Sequence, residues 1–149
     1  MNLKVLLIAG ILAVPCSGTA AIAGGFDWGY QGSVFEVETG DSSYFTVNFT
    51  KLSPAMKALG MLKYSDIVEG NEDDDGNVVG KMFVFKKGCA PQPFDVQGAF
   101  VPAYQPTKLV LYGAPGIWAK DGCRIVGFDS KAAKTPIVFT FLDNYDPES

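Results

Sequence analysis

Histidine is absent from all 149 positions of the chain. That absence removes Ser-His-Asp and Cys-His catalysis, histidine-based zinc sites and the usual general base at neutral pH together. Arginine occurs once, at Arg124, and the lysines are scattered in a chain whose net charge is −4. Such a surface repels phosphate, so neither nucleic acid nor an anionic membrane surface is expected as a partner. The glycine-rich phosphate loops G-x-x-x-x-G-K-[ST] and strand-borne G-x-G-x-x-G do not occur either. The apolar run at residues 5–14 is about ten residues long, half of what a helix needs to cross a hydrocarbon core of roughly 30 Å, and Pro15 ends it. No permanent membrane span is expected.

That run belongs to a three-part pattern. A positive charge at Lys4 precedes it, and small residues ending in Ala21-Ile22-Ala23 follow. The order is that of a secretory signal peptide, with residues 1–23 removed and Gly24 as the new N-terminus. Cys16 raises the lipoprotein alternative, in which cleavage precedes an acylated cysteine. Ala13 and Pro15 stand where that motif wants an aliphatic and a small residue, so Cys16 is expected to leave with the signal. Residues 24–149 then form a single β domain, secreted or periplasmic and monomeric, with a net charge of −5 once Lys4 is gone. Two cysteines remain, Cys89 and Cys123, and in an oxidising compartment they are expected to pair. The bond would close a loop of about 35 residues, which chain entropy values at roughly 4 kcal/mol.

Short β-branched and aromatic runs separated by turn residues recur about every ten residues, an all-β pattern. Strands are expected at residues 30–38, 44–50, 61–68, 78–87, 94–101, 108–112, 123–128 and 136–142, with a short piece at Ile117-Trp118. Phe45, Val47 and Phe49 alternate with Thr46 and Asn48, which gives one buried and one wet face. Ser53-Pro54 followed by Gly60 reads as cap, first-turn proline and stop of one short helix. About eight antiparallel strands suit a small barrel or a two-sheet sandwich. The order Gly25-Phe26-Asp27-Trp28 has one residue more than the Gly-x-Trp of lipocalin first strands, and Arg124 precedes the last expected strand, so no family is assigned.

The sharpest local feature is the acidic stretch 69–77, with five acids in seven positions from Glu69 to Asp75. Asn71, Asp73 and Asp75 occupy the first, third and fifth places of a calcium loop, with Gly76 in the sixth. The twelfth place, which needs a bidentate carboxylate, holds Met82, so the competing reading is a solvated hairpin tip closed by Asp75-Gly76. Calcium is the one cofactor this leaves in view. Glu36 and Glu38 share a strand face, as pairs at i and i+2 do in any sheet, and give only a weak case for carboxylate-based hydrolysis. Trp28, Tyr30 and Trp118 are candidates for a ligand or partner surface, since aromatics with a polar edge are favoured there. Asn48-Phe49-Thr50 fits the N-glycosylation sequon.

Three functions are compatible with these residues. An exported binding or interaction module, acting on an unknown protein or small ligand, asks least of the residues that are missing. The alternative is a β-barrel carrier of a small apolar ligand; a carboxylate-based hydrolase comes third. The first two require no catalysis.

Overall fold

A computed structural model describes residues 27–40 and 42–142. The expected signal segment, Cys16 and the chain end lie outside the described residues. Eight antiparallel strands close into a barrel with neighbours in chain order: β1 (Asp27–Tyr30), β2 (Ser33–Thr39), β3 (Tyr44–Lys51), β4 (Asp66–Glu72), β5 (Asn77–Val84), β6 (Gln92–Val101), β7 (Lys108–Gly113) and, last, β10 (Ile137–Phe141). Between β7 and β10 the chain makes a separate two-stranded hairpin of β8 (Gly116–Trp118) and β9 (Ile125–Phe128), then a 3-10 turn at Ala132–Lys134. The barrel closes where Trp28 pairs with Phe141 and Gly29 with Thr140. Of the two architectures the sequence allowed, the barrel is present and the sandwich is not.

Alternation decides what the barrel encloses. Phe45, Val47 and Phe49 of β3 are fully buried, and their inward neighbours continue around the ring as Phe35, Val68, Val96, Leu109, Leu111 and Phe139. Edge-to-face contacts join Trp28 to Phe100 at 6.1 Å, Trp28 to Phe141 at 5.8 Å and Phe45 to Phe100 at 5.4 Å, filling the end of the barrel where β1 begins. Trp28, expected at a surface, is 4% exposed. Its place on the first inward row of β1, opposite Phe35, puts the indole inside the ring. The outer wall is polar, with Glu69, Lys81 and Asp95 in register across β4, β5 and β6 and Lys81 bonded to Asp95 at 2.9 Å.

Boundaries differ from the expected ones: β5 ends at Val84 rather than Lys87, β9 starts at Ile125 rather than Cys123, and three larger differences follow. The Gln31-Gly32 turn, with both residues at positive φ, splits the first expected strand, so β1 is a strand of its own. β4 begins at Asp66 rather than Met61, and the acidic residues through Glu72 belong to it. The strand at 125–128 joins the hairpin instead of the barrel. The short helix α1 (Pro54–Ala58) forms as expected: Ser53 Oγ accepts from the Met56 N–H at 3.3 Å, and Pro54 opens the first turn. The Ser53 N–H in turn donates to Ser33 Oγ at 3.0 Å, which ties the helix to the start of β2.

Inward positions on four neighbouring strands are glycine: Gly70, Gly80, Gly98 and Gly113. A Cβ on Gly80 would stand 2.2 Å from the Glu69 carbonyl oxygen, and one on Gly98 1.9 Å from that of Val110. The adjacent backbone occupies the space a side chain would need, which is how a tightly curved sheet turns its corner. Gly98→Ala is therefore expected to lower unfolding free energy by about 3 kcal/mol, at the top of the range for overpacking. Gly127→Ala, where nothing lies within 4 Å, should cost less than about 0.5 kcal/mol. Urea denaturation of the two variants checks this, and equal costs would contradict the packing account.

Candidate functional site

All connections at one end of the barrel are short turns, and the interior there is filled. The other end carries the Gln31-Gly32 turn, α1, the β5–β6 loop and the whole β8–β9 insertion, and between them lies a pocket of about 570 Å³. Each wall has a local cause. α1 brings Met56 and Leu59 over one side. A bulge in the β3–β4 pairing, where Val47 faces Val68 but Asn48 faces Asp66, leaves Ile67 unopposed and turns it into the pocket, 4% exposed. The floor is Met82 and Phe94, the upper ends of inward rows. Tyr30, Phe85, Trp118 and Ile137 complete the mouth.

The lining contains no carboxylate, lysine or arginine. Its polar side chains are few: Tyr30, Gln31, Thr135 and the indole of Trp118. Burial raises the Tyr30 phenol above its ordinary pKa, so it is neutral at physiological pH. The Trp118 Nε1 atom is closed to solvent and has no hydrogen-bond partner among the described residues. Two of the three aromatic candidates, Tyr30 and Trp118, thus meet at one site, and Trp28 lies in the core away from it.

The β8–β9 hairpin that carries Trp118 is held by two attachments at its tip. Cys123 is disulfide-bonded to Cys89 of the β5–β6 loop, as expected. Lys86, from the same loop, donates its ammonium protons to the carbonyls of Ala119 at 2.8 Å, Gly122 at 2.8 Å and Lys120 at 3.3 Å. Three carbonyl dipoles around one partly buried ammonium make charge-assisted bonds, stronger than neutral ones. Nothing in the sequence marks Lys86, since its acceptors are backbone groups more than 30 residues away.

The remaining candidates lie elsewhere. At the opposite end, Asp73 accepts from the N–H groups of Asp75 at 3.0 Å and Asn77 at 2.8 Å and from the Asn77 amide at 2.9 Å. These bonds hold its carboxyl below the ordinary range, while burial and then the Asp73 charge push neighbouring Glu72 up. Asn71 is part of β4, paired with Val79, so Asn71, Asp73 and Asp75 do not form one open loop. Among the described residues no three His, Cys, Asp or Glu side chains converge on a point where a metal would sit. Glu36 and Glu38 lie on the outer wall, away from the pocket. Asn48 is 7% exposed, so the folded strand leaves no room for a glycan on the sequon. Among the described residues no helix is long and apolar enough to cross a membrane.

No protein family, curated protein or solved structure gives a match to this chain.

The two tip attachments predict that reduction loosens the hairpin before the barrel. Reducing Cys89–Cys123 should lower unfolding free energy by about 2–4 kcal/mol. Lys86→Met in the oxidised protein should cost about 1.5–3 kcal/mol, the usual worth of bonds to a charged group. In both cases amide exchange is expected to accelerate first at residues 116–128. Exchange that rises equally around the barrel would contradict the assignment of these contacts to the hairpin.

Proposed function

We propose that this protein is an exported binding barrel that takes a small apolar ligand in its open mouth. The observation that carries the reading is the pocket itself. Its volume lies within the roughly 300–1,000 Å³ usual for small-molecule sites, and its walls are hydrocarbon and aromatic with a few polar groups. Eight strands enclose an interior just wide enough to be filled or to hold one small ligand. Here one half is filled by Trp28, Phe45 and Phe100 and the other opens. The lining offers no acid, base or nucleophile in a reactive arrangement, which favours binding over hydrolysis.

Export rests on the sequence pattern of residues 1–23 and on the disulfide, which fits an oxidising compartment. The charged row on the outer wall is unlike the apolar band by which barrels face lipid. A second reading, interaction with another protein, keeps one observation in its favour: Ile117, Val126 and Phe128 on the hairpin are 47%, 57% and 62% exposed.

The neutral fluorophore N-phenyl-1-naphthylamine is expected to bind with one-to-one stoichiometry and a blue-shifted emission. Met56→Asp, which places a charge against the pocket from a partly buried helix position, should weaken it at least about tenfold. The variant should still unfold in one cooperative transition, which shows that it is folded. Equal affinity in the variant would refute the site. Intact-mass analysis of the protein recovered from its secreting cell should show a chain beginning at or near Gly24 that takes no alkyl label until reduced. A chain beginning at an acylated Cys16, or retaining residues 1–23, would contradict export as a free domain.

A further inference from the structure

Resting on the reading of the mouth as a ligand site, we infer that the Cys89–Cys123 disulfide regulates that site. Oxidised, it straps the β8–β9 hairpin against the opening; reduced by an external dithiol, it frees the strap and speeds ligand release.

The hairpin is built as a strap. Its base is fixed, because β8 follows β7 closely, β9 leads through the 3-10 turn into β10, and the Asp129 N–H donates to the Pro115 carbonyl at 2.9 Å across it. Between base and tip it has little hold of its own. Among the described residues β8 and β9 pair with each other and with no barrel strand, and no residue of either is fully buried. Segments with so little buried surface open most easily in a folded protein. The hairpin is therefore held down at its tip.

The tip attachment joins two walls of the pocket. Phe83 and Phe85 line it just before the loop that holds Cys89, and Gly116 and Trp118 line it from the hairpin. The disulfide brings the Cα atoms of Cys89 and Cys123 to 5.3 Å, so these walls are covalently closed on each other. Once the bond is cut, the Lys86 ammonium alone holds the tip, and its bonds to Lys120 and Gly122 are exposed to competing water.

The bond is also open to attack. Cys123 is exposed and Cys89 only partly buried. A thiolate of the dithiol attacks Cys123 Sγ, the S–S bond breaks, and Cys89 leaves as thiolate. The second thiol of the dithiol then displaces Cys123 and closes the reagent's own disulfide. Two electrons pass to the protein, and the two protons of the dithiol end on Cys89 and Cys123. A disulfide of the same class runs the exchange backward and closes the strap.

Stopped-flow dilution of the complex of N-phenyl-1-naphthylamine with the full mature protein tests this. Reduction with dithiothreitol is expected to raise the release rate at least about tenfold and to change association less, since affinity differences at one site lie mostly in release. Re-oxidation should restore the slow rate. The double variant Cys89→Ser/Cys123→Ser should release at the fast rate with or without dithiothreitol, which separates loss of the bond from any other effect of the reductant. Amide exchange of the reduced, unmodified protein gives a readout independent of any variant: exchange should accelerate at residues 116–128 while the barrel strands stay protected. An unchanged release rate on reduction overturns the inference and leaves the apolar site standing. Loss of protection throughout the barrel overturns it too, by making the bond a staple of the whole fold. Failure of the fluorophore to bind the oxidised protein overturns the site itself.

Discussion

The structure depends on how closely β4 to β7 approach one another along their inward glycines. A ring of eight strands has an interior just wide enough for side chains to fill or for one small ligand. At Gly70, Gly80, Gly98 and Gly113 the neighbouring backbone stands where Cβ would be. That approach lets the wall curve enough for β10 to meet β1. It also leaves the interior to a few large rings, chiefly Phe35, Phe45, Phe49, Phe100 and Phe139. Closure in turn removes the open edges that would otherwise invite pairing with another chain.

The asymmetry of the two ends follows from where the chain spends its length. Short turns at one end bring the rings of Trp28, Phe45 and Phe100 together and leave no space. At the other end the 3-10 turn, α1 and the β8–β9 hairpin cannot fit over the opening without a gap, and the bulge at Ile67 adds one more apolar wall to it. The disulfide and Lys86 act on that end alone. They fix the hairpin that carries Trp118, so the same contacts that contribute to stability also set the geometry of the mouth.

Much of this was legible in the residues, and the parts that were not share a cause. Alternation of Phe45, Val47 and Phe49 against polar neighbours announced β3, Ser53-Pro54 announced the helix, and the pair of cysteines left after Cys16 announced the disulfide. Each is a local pattern or a count. What stayed hidden was long-range. Inward glycines read as turn residues or interruptions until the neighbouring strand is known, which is why barrel and sandwich could not be separated. Of the four-residue β1 only Tyr30 was foreseen, and it was joined to β2 because the Gln31-Gly32 turn is short and Tyr30 continues the apolar run. Tyr30 and Trp118 were noticed as aromatics, but their meeting across nearly ninety residues, and the burial of Trp28 instead, are properties of the closed ring.

The central claim is that the apolar mouth is where this protein meets its ligand, and residue-resolved NMR during titration with N-phenyl-1-naphthylamine tests it most directly. The account predicts amide shifts concentrated at Tyr30, Met56, Ile67, Phe85 and Trp118, with the acidic turn at Asp73 and the outer positions Val79 and Tyr112 unmoved. Shifts scattered over the outer wall, or centred on the exposed hairpin residues Val126 and Phe128 with the pocket silent, would contradict it and favour a protein-binding surface.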